Sequence, residues 1–203
     1  MTIHLASGNA HKAQEFQRLA DESPASRLLQ IRIVPARPMP EVAEDTGTFA
    51  GNARKKAAAL QALLPPETWV LADDSGVCVE ALGGAPGVES AYYAGPEHDS
   101  GANLRKLTEA MRDVPEGRRA ACFLCVLVLR GPGDRELVFE GRCDGVLAWE
   151  PAGGAGFGYD PLFIPDGFDR TYAQLDETEK NKISHRGRAW LKLAEYLRRS
   201  GPA

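Results

Sequence analysis

Residues 69–76 read Trp-Val-Leu-Ala-Asp-Asp-Ser-Gly, an apolar run that ends on two adjacent carboxylates. Trp69–Ala72 has the length and composition of a buried strand, and Val77–Ala81 continues extended beyond Asp73-Asp74-Ser75-Gly76. Neighbouring carboxylates repel each other unless a cation or hydrogen-bond donors compensate. In extended backbone they point to opposite faces, so one of the two leads into a site. A hard divalent cation suits such a group, above all when phosphate oxygens complete its shell. An Asx turn that caps the strand explains the same residues without any ligand. Glu41, Glu44 and Asp45, in an upstream loop, are possible second ligands.

On the N-terminal side, Ile3–Ala6 reads as a buried strand, His11–Ala20 as a helix, Ile31–Val34 as a strand and Asn52–Leu64 as a helix stopped by Pro65-Pro66. On the C-terminal side, Asn103–Met111 reads as a helix. Arg119–Arg130 and Glu136–Trp149 read as long strands joined by the turn Gly131-Pro132-Gly133-Asp134. Gly153–Asp160 is a glycine-rich loop, and His185–Arg199 is a helix with Leu191, Ala194 and Leu197 expected on one face. The pattern predicts a mixed α/β fold within a single domain over residues 1–203, bilobal but without a linker.

Bulk properties narrow the function. A chain of 203 residues can bury a sizeable core, and 43% hydrophobic with 26% charged residues is the composition of a soluble globular protein. A net charge of −4 provides no basic field for a nucleic-acid backbone, so an anionic ligand needs a local pocket. The N-terminus lacks a basic leader with a long apolar run, and the longest apolar stretch, Cys122–Leu129, is too short for a bilayer. No membrane role and a cytoplasmic location are expected. Cys122 and Cys125 form a C-x-x-C, but Cys78 and Cys143 are isolated, so the pair reads as small hydrophobes in a strand.

Three further motifs carry chemistry. Ser7-Gly8-Asn9-Ala10-His11-Lys12 turns a strand into a helix start, where N–H groups, the dipole and the Lys12 ammonium suit phosphate. Asn9 or Ser7 capping a plain helix is the alternative. Around Phe157 and Tyr159, four glycines of the 153–158 loop allow close approach to a flat ligand, or equally a turn with core aromatics. Lys180 through Arg188 places Lys180, His185 and Arg186 near a helix start, where the dipole disfavours positive charge and an anion would relieve it.

In this order, the motifs resemble those of the inosine triphosphate pyrophosphatase family, which removes non-standard purine nucleotides. The resemblance covers nearly the whole chain: Ser7–Lys12, Glu44–Ala53, Leu71–Gly76, Leu82–Ala91, Gly156–Pro161 and Ser184–Gly187. It implies an elongated mixed sheet flanked by helices, two lobes with an active-site groove between them, and a homodimer. It also implies hydrolysis of ITP, dITP and XTP to the monophosphate and pyrophosphate, with Mg2+ as cofactor. By position, Ser7, Gly8, Asn9, Ala10, His11 and Lys12 would cradle the triphosphate, with Lys56 as a further cation. Glu44 and Asp74 would hold the metal, Asp74 would accept the proton of the attacking water, and Ser75 would touch substrate. Phe157, Gly158, Tyr159 and Asp160 would line the base pocket, completed by Lys180, His185 and Arg186. The register of Glu44 against Asp45 stays open. Gly51 stands where the family often has Glu, and Tyr159 where some relatives have Trp. The rival readings are a nucleotide pyrophosphatase of different base specificity and a non-catalytic nucleotide sensor.

Overall fold

The computed structural model describes residues 1–133 and 135–201; Asp134, the last residue of the expected turn, lies outside them. In chain order the elements are β1 (Thr2–Leu5), α1 (Ala10–Glu22), α2 (Pro24–Leu28), β2 (Arg32–Pro35), α3 (Phe49–Gln61), β3 (Trp69–Val79), α4 (Ser100–Ala110), β4 (Ala120–Gly131), β5 (Arg135–Leu147), β6 (Phe163–Pro165), α5 (Glu177–Ile183) and α6 (His185–Ser200). They form a six-stranded sheet in the order β2-β1-β3-β4-β5-β6. It is mixed: β1 runs parallel to β2 and β3, with Ile3 opposite Ile33 and Leu5 opposite Leu71, while β6 is antiparallel to β5. Parallel neighbours need a crossover, and α1–α2 supplies the one from β1 to β2. Among the described residues no helix is long and apolar enough to cross a membrane.

The chain divides into two compact units, to both of which β3, β4 and β5 contribute residues. The first comprises Met1–Asp74, Cys125–Gly141 and Arg186–Ala203. Strand alternation gives this unit two apolar layers. On one face Ile3, Leu5, Leu71 and Leu127 pack with Phe16 of α1 and Trp190, Leu193 and Leu197 of α6. On the other, Ala6, Val70, Ala72 and Val128 meet Ala53, Ala57 and Leu60 of α3. The small side chains of α3 let the helix lie close to the sheet. In α6 the buried stripe is Ala189, Trp190, Leu193, Ala194 and Leu197, whereas Leu191 is 55% exposed. Leu191 therefore does not share the face of Ala194 and Leu197: the bulky Trp190, seated against Phe16 at 5.8 Å, sets the helix's rotation.

The second unit comprises Ser75–Leu124 and Arg142–His185. Val77, Val79, Phe123, Leu147, Leu162, Phe163 and Tyr172 pack with Leu107 and Met111 at the end of α4. Arg119, only 2% exposed, donates to the carbonyls of Leu147, Met111, Val114 and Ala148 at 2.7–3.0 Å. It thereby fastens the end of β5 to the end of α4. Burial pushes its pKa below the usual arginine value.

The cysteines separate as strand geometry requires. The Cys125 thiol donates to Asp73 Oδ2 at 3.3 Å, while Cys122, three residues away on β4, contacts Cys78. The C-x-x-C pair thus points to opposite faces of its strand.

Candidate active site

Sequence composition suggested that the apolar strand stops at Asp73, since Asp, Ser and Gly are poor strand formers. In the structure β3 runs unbroken from Trp69 to Val79, so neither carboxylate sits in a turn. What lets the strand continue is compensation on both of its faces. Asp73, buried beside the α1 and α6 layer, ion-pairs with Lys12 and meets Arg186 Nε at 3.4 Å. Arg186 in turn donates to Glu15 Oε2 at 2.8 Å. Asp74 faces α3, where its Oδ1 accepts from Lys56 Nζ at 2.7 Å. The same ammonium donates to Glu44 Oε2 at 3.1 Å.

The electrostatics of the second group follow from that sharing. Burial raises the Asp74 pKa to about 6, outweighing the attraction of Lys56. Burial also opposes ionisation of Glu44, but Lys56, contact with Asp74 and Lys12 together bring its pKa below the ordinary value. Lys56 is held above its ordinary value because the two carboxylates overcome its burial. Asp74 Oδ2 is buried and meets no hydrogen-bond donor among the described residues. Asp45, the rival of Glu44, points elsewhere and pairs with Lys55 at 2.6 Å.

Around β3, Lys12, Lys56 and Arg186 therefore face Glu15, Glu44, Asp73 and Asp74. Carboxylate charge is in excess, which attracts a divalent cation and repels a bare triphosphate. No three His, Cys, Asp or Glu side chains are placed to hold a metal ion together among the described residues. An ion held by Glu44 and Asp74 would need phosphate and water oxygens to complete its shell, as magnesium commonly does. The orphaned Oδ2 and the charge excess fit such an ion.

The strand-to-helix turn at the N-terminus is capped from within. Asn9 Oδ1 accepts from the His11 and Lys12 N–H groups at 2.9 and 3.3 Å, and Ser7 Oγ accepts from Asn9 N–H at 3.1 Å. Gly8, Asn9, Ala10 and His11 are exposed around this cap. At the start of α3, Thr46 occupies the room a side chain on residue 51 would take. A Cβ at Gly51 would lie 2.3 Å from Thr46 Oγ1, which itself donates to Asn52 Oδ1 at 2.8 Å.

The second unit gathers the remaining motif residues. Asp160 Oδ2 accepts from the Phe157 N–H at 2.8 Å and from Lys180 Nζ at 2.7 Å. This folds the glycine-rich loop onto α5. Gly156, at φ +75°, cannot carry a side chain there, since a Cβ would fall 2.2 Å from Asp160 Oδ2. Phe157 stays half-buried, whereas Tyr159 enters the core and donates its hydroxyl to the Ser90 carbonyl at 2.8 Å. His185 is buried and stacked on Phe123. Ser75 follows Asp74 on β3 and is half-buried.

Arg186 answers one sequence expectation in its own way: the anions that offset its charge at a helix start are Glu15 and Asp73. Glu15 was not singled out from the sequence. The signal was present, a carboxylate among Phe16, Leu19 and Ala20 on the buried face of α1.

Fold and site together define a mixed-sheet α/β protein with a cation-buffered pair of carboxylates on a central strand. The chain belongs to the Ham1 family, whose model matches residues 3–196. It is 62% identical over 203 residues to a dITP/XTP pyrophosphatase of Opitutus terrae, with 98% of this chain and all of the relative covered. Its fold matches the Staphylococcus aureus Ham1 protein with a TM-score of 0.82 at 35% identity, covering 98% and 100% of the two chains. A HAM1 protein from Coxiella burnetii matches with a TM-score of 0.81 at 38% identity, covering 97% and 98%.

Proposed function

We propose that the protein hydrolyses the non-standard purine nucleoside triphosphates ITP, dITP and XTP to the monophosphate and pyrophosphate. The observation that carries this is the Glu44–Lys56–Asp74 arrangement: two carboxylates on one ammonium, one of them with a buried oxygen that meets no donor among the described residues. Family membership and the activity named for the Opitutus terrae relative support the same reading.

Glu44 and Asp74 are the residues that would hold magnesium, which when bound neutralises phosphate oxygens and the leaving pyrophosphate. Asp74 accepts the proton of the water that attacks the α-phosphorus; a carboxylate near pKa 6 is ionised at neutral pH yet basic enough to take it. Lys12 and Lys56 exchange part of their pairing with carboxylates for pairing with phosphate, and the α1 start adds its dipole. Asn9 then yields its cap N–H groups to the triphosphate. Ser75 touches the substrate beside Asp74. The Phe157–Asp160 loop receives the base, and Lys180, His185 and Arg186 complete the base and phosphate contacts. The enzyme acts in the cytoplasm, as a homodimer measurable by light scattering.

A colorimetric phosphate assay, with and without added inorganic pyrophosphatase, tests the reaction over a panel of triphosphates. Signal should require the added pyrophosphatase; orthophosphate released without it would mean γ-phosphate cleavage instead.

A further inference from the structure

His185 lies at the start of α6, and its ring packs on an aromatic cluster. Its imidazole stacks on Phe123 at 4.7 Å between centroids, with the planes 13° apart. Phe123 stacks in turn with Tyr172 at 5.7 Å and 21°. Phe163 meets Phe123 edge-on at 4.9 Å and 78°, and packs against Tyr172 at 4.9 Å. Phe123 is 7% exposed and Tyr172 and Phe163 are fully buried, so the central ring sits within packed aromatic neighbours.

The other end of this stack reaches the glycine-rich loop. Lys180 Nζ lies 5.4 Å from the Tyr172 ring centroid and 5.5 Å from that of Phe157, and it donates to Asp160. One aromatic support therefore carries both His185 and the cation that folds the loop.

From this we infer that Phe123 and Tyr172 are positioning residues for base recognition: they fix the plane of the His185 imidazole and the seat of Lys180, and so set the discrimination between hypoxanthine and guanine. The physical reason is directional. An imidazole donates and accepts in its ring plane, and a hydrogen bond weakens steeply as its angle falls away from linear. Guanine and hypoxanthine share a 6-keto edge and differ by one amino group, so small errors of aim blur the choice. The inference rests on the reading of His185 as a base contact.

The test measures the ratio of kcat/KM for ITP over GTP, which a loss of folded protein leaves unchanged because both substrates lose equally. Aromatic pairs contribute enough beyond burial that removing the ring should lower this ratio roughly 2- to 12-fold. Phe123→Leu removes the ring; Phe123→Met, of similar volume but unbranched and flexible, reaches further into the ring's space without a plane, and serves if the leucine variant does not fold. Tyr172→Leu should act in the same direction. In a His185→Ala background the Phe123 variants should no longer move the ratio, since the residue they aim is gone. A ratio unmoved by the Phe123 variants, while His185→Ala shifts it, overturns the inference and leaves the base-contact reading standing. So does a Phe123 effect that persists without His185. A ratio unmoved by His185→Ala refutes the base contact itself.

Discussion

Asp74 shares the Lys56 ammonium with Glu44, and its second oxygen meets no donor among the described residues, while Asp73, the preceding residue, is ion-paired to Lys12 and Arg186. Strand alternation sends the two carboxylates to different partners, and the proposed chemistry belongs to Asp74. Asp74→Asn keeps the shape but removes the charge and the proton acceptor. Turnover should fall by about 10²–10⁴-fold, with nucleotide binding by calorimetry retained. A variant keeping a tenth of wild-type activity would move the role to Asp73 or Glu44. A pH dependence follows from the same residue. The folded-state pKa is raised, to about 6, so acid conditions place a proton on Asp74 while the fold is intact. Activity should therefore decline as pH falls through about 6, by about tenfold per unit below it. Metal binding needs the deprotonated ligand, so raising magnesium should move this limb to lower pH, and EDTA should abolish activity at every pH. A limb near pH 4 that ignores magnesium would show that another carboxylate governs the rate.

At the scale of elements, α6 shows what an apolar pattern leaves undecided. Leu191, Ala194 and Leu197 satisfy a helical repeat, but so do Trp190, Leu193, Ala194 and Leu197, and the second stripe is the buried one. The largest side chain decided between them, through its contact with Phe16 and the hydrogen bond from Trp190 Nε1 to Ser26 at 3.1 Å. Two neighbouring truncations should therefore differ sharply in urea unfolding. Leu193→Ala, at a fully buried position, should cost about 2–5 kcal/mol. Leu191→Ala, on the exposed side, should stay within about 0.5 kcal/mol of wild type. Equal costs would mean that the helix is rotated relative to this description. The helix start follows the same logic: His185 and Arg186 look misplaced against the dipole only until Glu15, 171 residues away from Arg186, is counted.

Over the whole molecule, what was legible in the sequence was local. Apolar runs marked β1, β3 and β4, prolines marked the end of α3, and the order of short motifs marked the family. The continuation of β3 through Asp73-Asp74-Ser75-Gly76 was hidden, because the cations that permit it come from α1, α3 and α6. Phe123 on β4 and Tyr172 in the turn before α5 were equally hidden, since in sequence a core aromatic carries no sign of the ring it will support. Specificity is where these long-range contacts bear on function, and it yields the last prediction: ITP and XTP preferred over GTP, and GTP over ATP, in kcat/KM. Hypoxanthine and xanthine present a 6-keto acceptor beside an N1–H donor, whereas adenine presents the reverse pair. Within the loop the Phe157 N–H is committed to Asp160, so on the proposed assignment the donors to that oxygen would be other N–H groups of the Phe157–Asp160 loop or His185. Tyr159 is held in the core, so in the proposed pocket the stacking ring would be Phe157, and stacking does not distinguish one purine from another. Phe157→Ala should therefore weaken all four substrates alike. If the pocket donates to O6 and offers no acceptor at C2, as we propose, adenine would meet two mismatched groups and guanine only one, its 2-amino group. A single buried unsatisfied group costs about 1–3 kcal/mol, so discrimination against GTP should be roughly 5- to 150-fold, with ATP rejected more strongly. Equal kcat/KM for GTP and ITP would defeat the assignment to non-standard purines even if pyrophosphate release were observed, because the chemistry at Asp74 is indifferent to the base.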